Sequence, residues 1–215
     1  MSDTVMSDVG VARPALLRYA LRLEYLTVGW NIVEGVVAIA AALAAGSVAL
    51  LGFGLDSFVE SASGAVLIWR LWAERDGADH DRIEWLERRA LRLVGLSLFL
   101  LAAFVAIKAI LSLAGQERPE ASPVGIAVTS LSIGVMWWLA RTKLRTARSL
   151  GSRSLEADSF QTTACWWLSL IVLGGIGMNA LFGWWWADPV AAVGMTFFLV
   201  REGREAWAGE ECGEA

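Results

Sequence analysis

The two acidic side chains most able to do chemistry, Asp56 and Glu60, lie four positions apart within the apolar segment 48–72. Four residues make about one turn of an α-helix, so both carboxylates face the same side of that helix. An ionised group at the centre of a bilayer costs roughly 2.5–3.5 kcal/mol even on the more lenient insertion scales. Two carboxylates on one face therefore indicate a site for a cation or a proton.

A second polar face is predicted near the start of the fifth apolar segment. It carries Asp158, Gln161, Thr162, Cys165 and Ser169, whose spacings place them on one side of a helix. A buried cysteine is usually only a small hydrophobic residue. Beside an amide and a carboxylate, its thiolate is also a suitable ligand for zinc. Cys165 and Gln161 are therefore candidate metal ligands, and Asp158 is a candidate for supporting the site or carrying protons.

The first apolar segment carries a polar stripe made of Glu24, Thr27, Asn31 and Glu34. Asn31 and Glu34 are candidates for supporting the site or carrying protons, and interhelical hydrogen bonding is the alternative. We expect Glu24 to be a solvated residue near the helix end. Structural ion pairs are a weak explanation for Asp56 and Glu60, because Lys108 is the only basic residue expected well inside an apolar segment.

The connection after the second segment contains Asp79, His80 and Asp81, and His80 is the only histidine. A solvated acidic loop and a second, cytoplasmic metal site are both compatible with this pattern, whose spacing is not specific. No phosphate-binding loop, dinucleotide motif, hydrolase triad or metalloprotease motif is present. We therefore do not expect an enzyme, and we expect no tightly bound cofactor.

The apolar residues make up 56% of the chain, mean hydropathy is +0.53, and they occur in six blocks. We place these blocks at residues 26–45, 48–72, 91–113, 124–140, 164–182 and 190–207, with the fifth extending back to about residue 153. Since a membrane span needs roughly 20 apolar residues, we predict an all-α polytopic membrane protein with six transmembrane helices. Residues 1–22 would be a cytoplasmic N-terminal segment, 23–207 the transmembrane domain and 208–215 a short cytoplasmic tail, with no soluble C-terminal domain.

The basic residues are distributed unevenly between the two sides of the membrane. Sixteen of the 18 Lys and Arg fall before the first segment, in the second-to-third and fourth-to-fifth connections, or at the end of the sixth. The positive-inside rule then places both termini in the cytoplasm. We expect the protein to lie in the inner membrane of the cell. Membrane lipid is the expected surrounding, and no nucleic-acid partner is expected.

Three motifs resemble the cation diffusion facilitator family, and in particular a short branch related to TMEM163-type zinc transporters. The pair Asp56 and Glu60 matches the acidic pair of the family's second span. Residues 157–165 match the fifth span, with Gln161 and Cys165 in place of the usual His and Asp. Asp188-Pro189, which also fits the N-cap and first residue of a helix, and Glu202-Gly203 match the sixth span.

The resemblance implies a divalent cation transporter that exchanges metal for protons, works by alternating access and forms a homodimer. It implies a metal site made of Asp56, Glu60, Gln161 and Cys165, with zinc preferred and Co, Fe, Mn or Cd as alternatives. Because Gln161 cannot titrate, proton coupling would fall on the carboxylates or on Cys165. A non-transporting membrane subunit or a metal sensor with purely structural polar faces is the other hypothesis.

Overall fold

The computed structural model describes the backbone of residues 2–75 and 80–208, and the side chains of residues 14–73, 92–152 and 154–207. The described residues form six α-helices and no strand. These helices are α1 (Ser2–Ala45), α2 (Val48–Arg75), α3 (His80–Gly115), α4 (Pro123–Leu150), α5 (Arg153–Phe182) and α6 (Ala187–Ala208). The predicted all-α fold with six helices in this order is confirmed.

Within the described residues, five helical segments are long and apolar enough to cross a membrane, judged by length and composition: Pro14–Ala45, Val48–Ala73, Arg92–Gly115, Pro123–Leu150 and Ser154–Phe182. The backward extension of the fifth helix to Arg153 is confirmed. The predicted end of the fourth helix near residue 140 is wrong, because α4 continues for ten more residues and ends at the left-handed Gly151. The positive charges that suggested a loop lie on its last turns.

The second helix lies at the centre of the bundle, in contact with α1, α3, α5 and α6. The most extensive helix pairs are α1 with α2, α3 with α6, and α4 with α5. Small residues permit this close approach. A Cβ added at Gly54 would lie 3.0 Å from the backbone nitrogen of Ile39 on α1, and one at Gly95 would lie 2.8 Å from the carbonyl oxygen of Gly203 on α6.

The start of α2 is fixed by a carboxylate from α6. Asp188 accepts hydrogen bonds from the Ser47 hydroxyl and from the backbone nitrogens of Val48, at 2.9 Å, and Ala49, at 3.4 Å. The prediction that Asp188 is the N-cap of the sixth helix is therefore wrong. Asp188 lies inside the first turn of α6, and its side chain satisfies the free backbone donors of the neighbouring helix.

Candidate functional site

The predicted polar stripes of α1 and α2 both face the interior of the bundle. Glu24, Asn31 and Glu34 on α1 are fully buried, and Asp56 and Glu60 on α2 are buried as well. The polar face of α5 also points inward, and Cys165 is buried. The three helices thus bring together most of the candidates that the sequence singled out.

Contacts between the helices divide these polar residues into three layers. The antiparallel register of α1 and α2 sets Glu34 opposite Ser57 and Val28 opposite Gly64. On α4 and α5, hydrogen bonds join Ser132 to Ser169 at one level and Lys143 to Asp158 at another. One layer therefore surrounds Glu34, another surrounds Lys143, and a central layer lies between them.

The layer around Glu34, here called the serine layer, is well hydrogen-bonded. Ser57 of α2 donates to Oε1 of Glu34 at 3.1 Å, and Ser132 of α4 donates to Oε2 at 2.7 Å. Ser169 of α5 donates in turn to Ser132 at 3.4 Å. The carboxylate of Glu34 is thus held by donors from two other helices, which supports the interhelical hydrogen bonding considered for this residue.

The layer around Lys143, here called the lysine layer, contains a buried ion cluster. The Lys143 ammonium donates to Oε2 of Glu24 at 3.0 Å and to Oδ2 of Asp158, and it lies 3.5 Å from the Thr162 hydroxyl. All of these side chains are buried. The cluster joins α1, α4 and α5 at the end of the bundle where α4 ends and α5 begins.

The lysine layer corrects two expectations. Glu24 is fully buried rather than solvated. Among the described side chains, Lys143 rather than Lys108 is the basic residue inside the bundle, since Lys108 is exposed and Lys143 has no exposed surface. Asp158 lies near Gln161 as expected along the helix, but its carboxylate pairs with Lys143. The sequence made a structural ion pair improbable for Asp56 and Glu60, and the ion pairs that Lys143 forms involve two other acidic residues, Glu24 and Asp158.

The central layer holds Asn31, Glu60 and Cys165. Asn31 lies midway between Val28 and Glu34 on α1. Since those residues face Gly64 and Ser57, the register places Asn31 at the same level as Glu60 on α2. Cys165 is one helical turn from Ser169 toward the lysine layer, and its thiol neighbours the Glu60 carboxylate. The three residues therefore come from three different helices.

The central layer is less fully hydrogen-bonded than its neighbours, although Oε1 of Glu24 in the lysine layer also has no partner among the described residues. Within the part of the chain that the structure describes, neither carboxylate oxygen of Glu60 and neither polar atom of the Asn31 amide has a hydrogen-bond partner. Burying such groups without a partner costs several kcal/mol by transfer measurements. Unpaired buried polar groups in a native protein call for an explanation such as an ion or a catalytic role.

The two remaining predicted ligands lie next to the central layer. Asp56 is buried one turn from Glu60 toward the serine layer, where the charge of Glu34 acts on it, and its own charge acts on Glu60. Gln161 is half-buried, and its Oε1 accepts a hydrogen bond of 3.1 Å from Ser63 of α2. An amide oxygen held in this way faces the same helix that carries both carboxylates.

The predicted ligand set is not drawn together around a single point. Among the described side chains, no group of three or more His, Cys, Asp or Glu is close enough to hold a metal ion. The donors present are two carboxylates, one thiol and one amide, which form a mixed oxygen and sulfur set suited to a divalent ion of intermediate softness. Asp79, His80 and Asp81 lie outside the residues whose side chains are described, so the predicted second site remains a prediction.

Sequence reasoning missed Lys143 and Glu202 as members of the polar interior. Lys143 lies eleven residues after Ser132, which is three helical turns, and this spacing could have placed both on one face. Glu202 is buried on α6, and the charges of Asp56 and Glu60 act on it. Only its match to the sixth-span motif hinted at such a position.

Comparison with known proteins agrees with this architecture. The family model described as the cation efflux transmembrane domain matches residues 25–207. A curated relative, an uncharacterized transporter named sll1263 from Synechocystis sp., is 28% identical over 164 residues. The match covers 74% of this chain but only 52% of the relative, so the chain spans about half the length of that protein.

Proposed function

The chain belongs to the cation efflux family, and from that premise we propose that it carries a divalent metal cation across a membrane. Zinc is the preferred ion, and the ion leaves the cytoplasm of the cell in exchange for protons by alternating access. Both termini are cytoplasmic and the protein acts as a homodimer in the inner membrane. The resemblance of the three motifs and the basic residues on one side support these finer assignments.

The observation that carries the proposal is the unpaired central layer. Glu60 presents two carboxylate oxygens without partners and neighbours the Cys165 thiol, whereas both oxygens of Glu34 and one oxygen of Glu24 in the adjoining layers are hydrogen-bonded across helices. Asp56 lies one turn away on the same helix. In the proposed bound state, Asp56 and Glu60 hold the dehydrated ion, and Cys165 and Gln161 complete the shell.

Competition between protons and metal supplies the coupling. A buried carboxylate without a partner is unstable as a bare charge, so it binds either a proton or a cation. A divalent cation entering the central layer would displace protons from Asp56, Glu60 and Cys165. Because Gln161 is neutral, it contributes an oxygen atom but no proton. Glu34 and Asn31 serve as supporting groups beside these ligands.

Reconstitution into proteoliposomes tests the proposal. We expect zinc flux that depends on a pH gradient in the unmodified protein and a loss of at least tenfold in Asp56→Asn and in Glu60→Gln. Glu120→Gln removes an exposed carboxylate and is the matched control, which should retain full flux. Normal flux in both site variants would refute transport through this site.

One observation favours the alternative of a membrane protein whose polar faces are structural. Five of the buried polar side chains, namely Glu24, Glu34, Ser132, Lys143 and Asp158, are already joined across helices by hydrogen bonds. In that case, Glu34→Gln would lower folding stability, and Glu60→Gln would leave metal binding unchanged. Isothermal titration of the purified protein with zinc distinguishes the two functions.

A further inference from the structure

Of the basic side chains whose burial the structure describes, Lys143 alone is buried. Lys143 lies at the level of Gly64, one turn along α2 from Glu60, because Glu24 reaches both the Lys143 ammonium and the side of Gly64. The Lys143 charge also acts on the Glu60 carboxylate. A fixed positive charge thus lies about one helical turn from the central layer.

Resting on the proposed function, we propose that Lys143 is a tethered competitor cation that sets the affinity of the central layer for a divalent ion. Its ammonium occupies the negative interior when no metal is bound. It then repels any cation that arrives beside Glu60. Coulomb repulsion is proportional to the charge of the guest, so the effect on a divalent ion is twice that on a monovalent one.

The surrounding charges define the size of this effect. With both carboxylates ionised, Glu24 and Asp158 carry two negative charges and Lys143 one positive charge, so the lysine layer has one negative charge in excess. Removing the lysine charge makes the layer more negative by one unit, and removing the Asp158 charge makes it less negative by one unit. The affinity for the bound cation should increase as the lysine layer becomes more negative and decrease as it becomes less negative.

The position of Lys143 gives it an electrostatic role in addition to its structural one. A charge in the low-dielectric interior one turn from Glu60 acts on any ion bound there, whether or not the lysine also joins helices. Binding is reciprocal. An ion at Glu60 therefore also weakens the contacts of Lys143 with Glu24 and Asp158, which assists release toward the lysine end of the bundle.

The test is a titration of the purified full chain with zinc chloride at pH 8, in four variants beside the unmodified protein. We expect Lys143→Gln to bind zinc at least tenfold more tightly and Asp158→Asn at least tenfold more weakly. Lys143→Arg keeps the charge and should stay within threefold of the unmodified protein. The double variant with Lys143→Gln and Asp158→Asn restores the net charge and should bring the affinity back toward the original value.

A second readout is independent of metal binding and covers the case in which Lys143→Gln does not fold. In a Cys212→Ser background, Cys165 reports the local potential through its reaction with methanethiosulfonate reagents that carry either a trimethylammonium or a sulfonate group. The ratio of the cationic to the anionic rate should fall at least fivefold in Asp158→Asn. In the double variant the ratio should return toward the original value.

The outcomes separate the two proposals. If the unmodified protein binds no zinc, or if Glu60→Gln binds it normally, the proposed function fails, and the tethered-cation inference for metal fails with it. If zinc binds through Glu60 but the affinities and the reagent ratios are equal in the charge variants and the unmodified protein, only the inference about Lys143 is overturned. Lower melting temperatures with unchanged affinities would likewise overturn that inference and leave the proposed function standing.

Discussion

Replacing Lys143 with methionine removes the shared partner of two buried carboxylates. In the folded protein, Oε2 of Glu24 and the carboxylate of Asp158 would then have no counter-charge at that position. Removing one partner of a buried ion pair costs about 3–5 kcal/mol, because an uncompensated charge remains in the interior. For a chain of this length each kcal/mol lowers the melting temperature by about 2–4 °C, so we expect a decrease of roughly 6–20 °C.

The matched control is an ion pair that joins the same two helices at the surface. Arg148 of α4 lies 3.6 Å from Glu156 of α5, and these side chains are 67% and 37% exposed. Arg148→Met should therefore cost less than about 1 kcal/mol. Thermal unfolding of both variants in detergent, followed by circular dichroism, measures the difference.

A third variant separates the loss of charge pairing from the loss of packing. Replacing all three members of the cluster, with Glu24→Gln, Lys143→Met and Asp158→Asn, removes the uncompensated charges and should recover most of the stability. If Lys143→Met and Arg148→Met destabilise the protein equally, the buried ion pairs of the lysine layer contribute no more to stability than the exposed pair. That result would refute the reasoning.

Three further changes test other parts of the bundle. Asp188→Ala removes the cap of α2 and should cost about 1–3 kcal/mol, with a smaller loss in Asp188→Asn; equal unfolding temperatures for Asp188→Ala and the unmodified protein would contradict the cap. Gly95→Ala should cost about 1–3 kcal/mol because its Cβ meets the backbone of α6, whereas Gly134→Ala, with nothing within 4 Å, should be neutral or stabilising in the same unfolding assay. Asn31→Leu should change the free energy of unfolding by less than about 1 kcal/mol, since the amide has no partner to lose. The same variant should bind zinc more weakly, as measured by calorimetry. A large loss of stability without a loss of binding would assign Asn31 to packing.

Hydrophobic blocks and helical spacing were sufficient to predict the six helices and most of their inward faces. The polar stripes at Asn31 and Glu34 on α1, at Asp56 and Glu60 on α2 and at Cys165 on α5 are all buried. A periodic pattern carries this information because a helix face is determined by local spacing alone. Residues that act within one helix were therefore predictable.

Interactions between helices were not predictable in the same way. In the sequence, Lys143 lies among four other basic residues, and this context predicts another cytoplasmic charge rather than a buried one. It becomes a buried residue only because Glu24 and Asp158, which are 119 and 15 positions away, supply carboxylates at the same level. Asp188 was misassigned for a similar reason, since the donors that it satisfies are about 140 positions away.

The carboxylate of Asp188 ties the first residues of α2 to the first turn of α6, at the end of the bundle opposite Lys143. If α2 tilted without α6, the backbone amides of Val48 and Ala49 and the carboxylate of Asp188 would lose their hydrogen-bond partners in the interior. The helices α2 and α6 therefore move together as one rigid piece. Since α6 packs closely on α3 through Gly95 and Gly203, and α1 and α2 form one of the most extensive helix pairs, that piece includes α1, α2, α3 and α6. Any rocking motion that opens the protein would then move α4 and α5 against these four helices, along the seam where Cys165 of α5 meets Glu60 of α2.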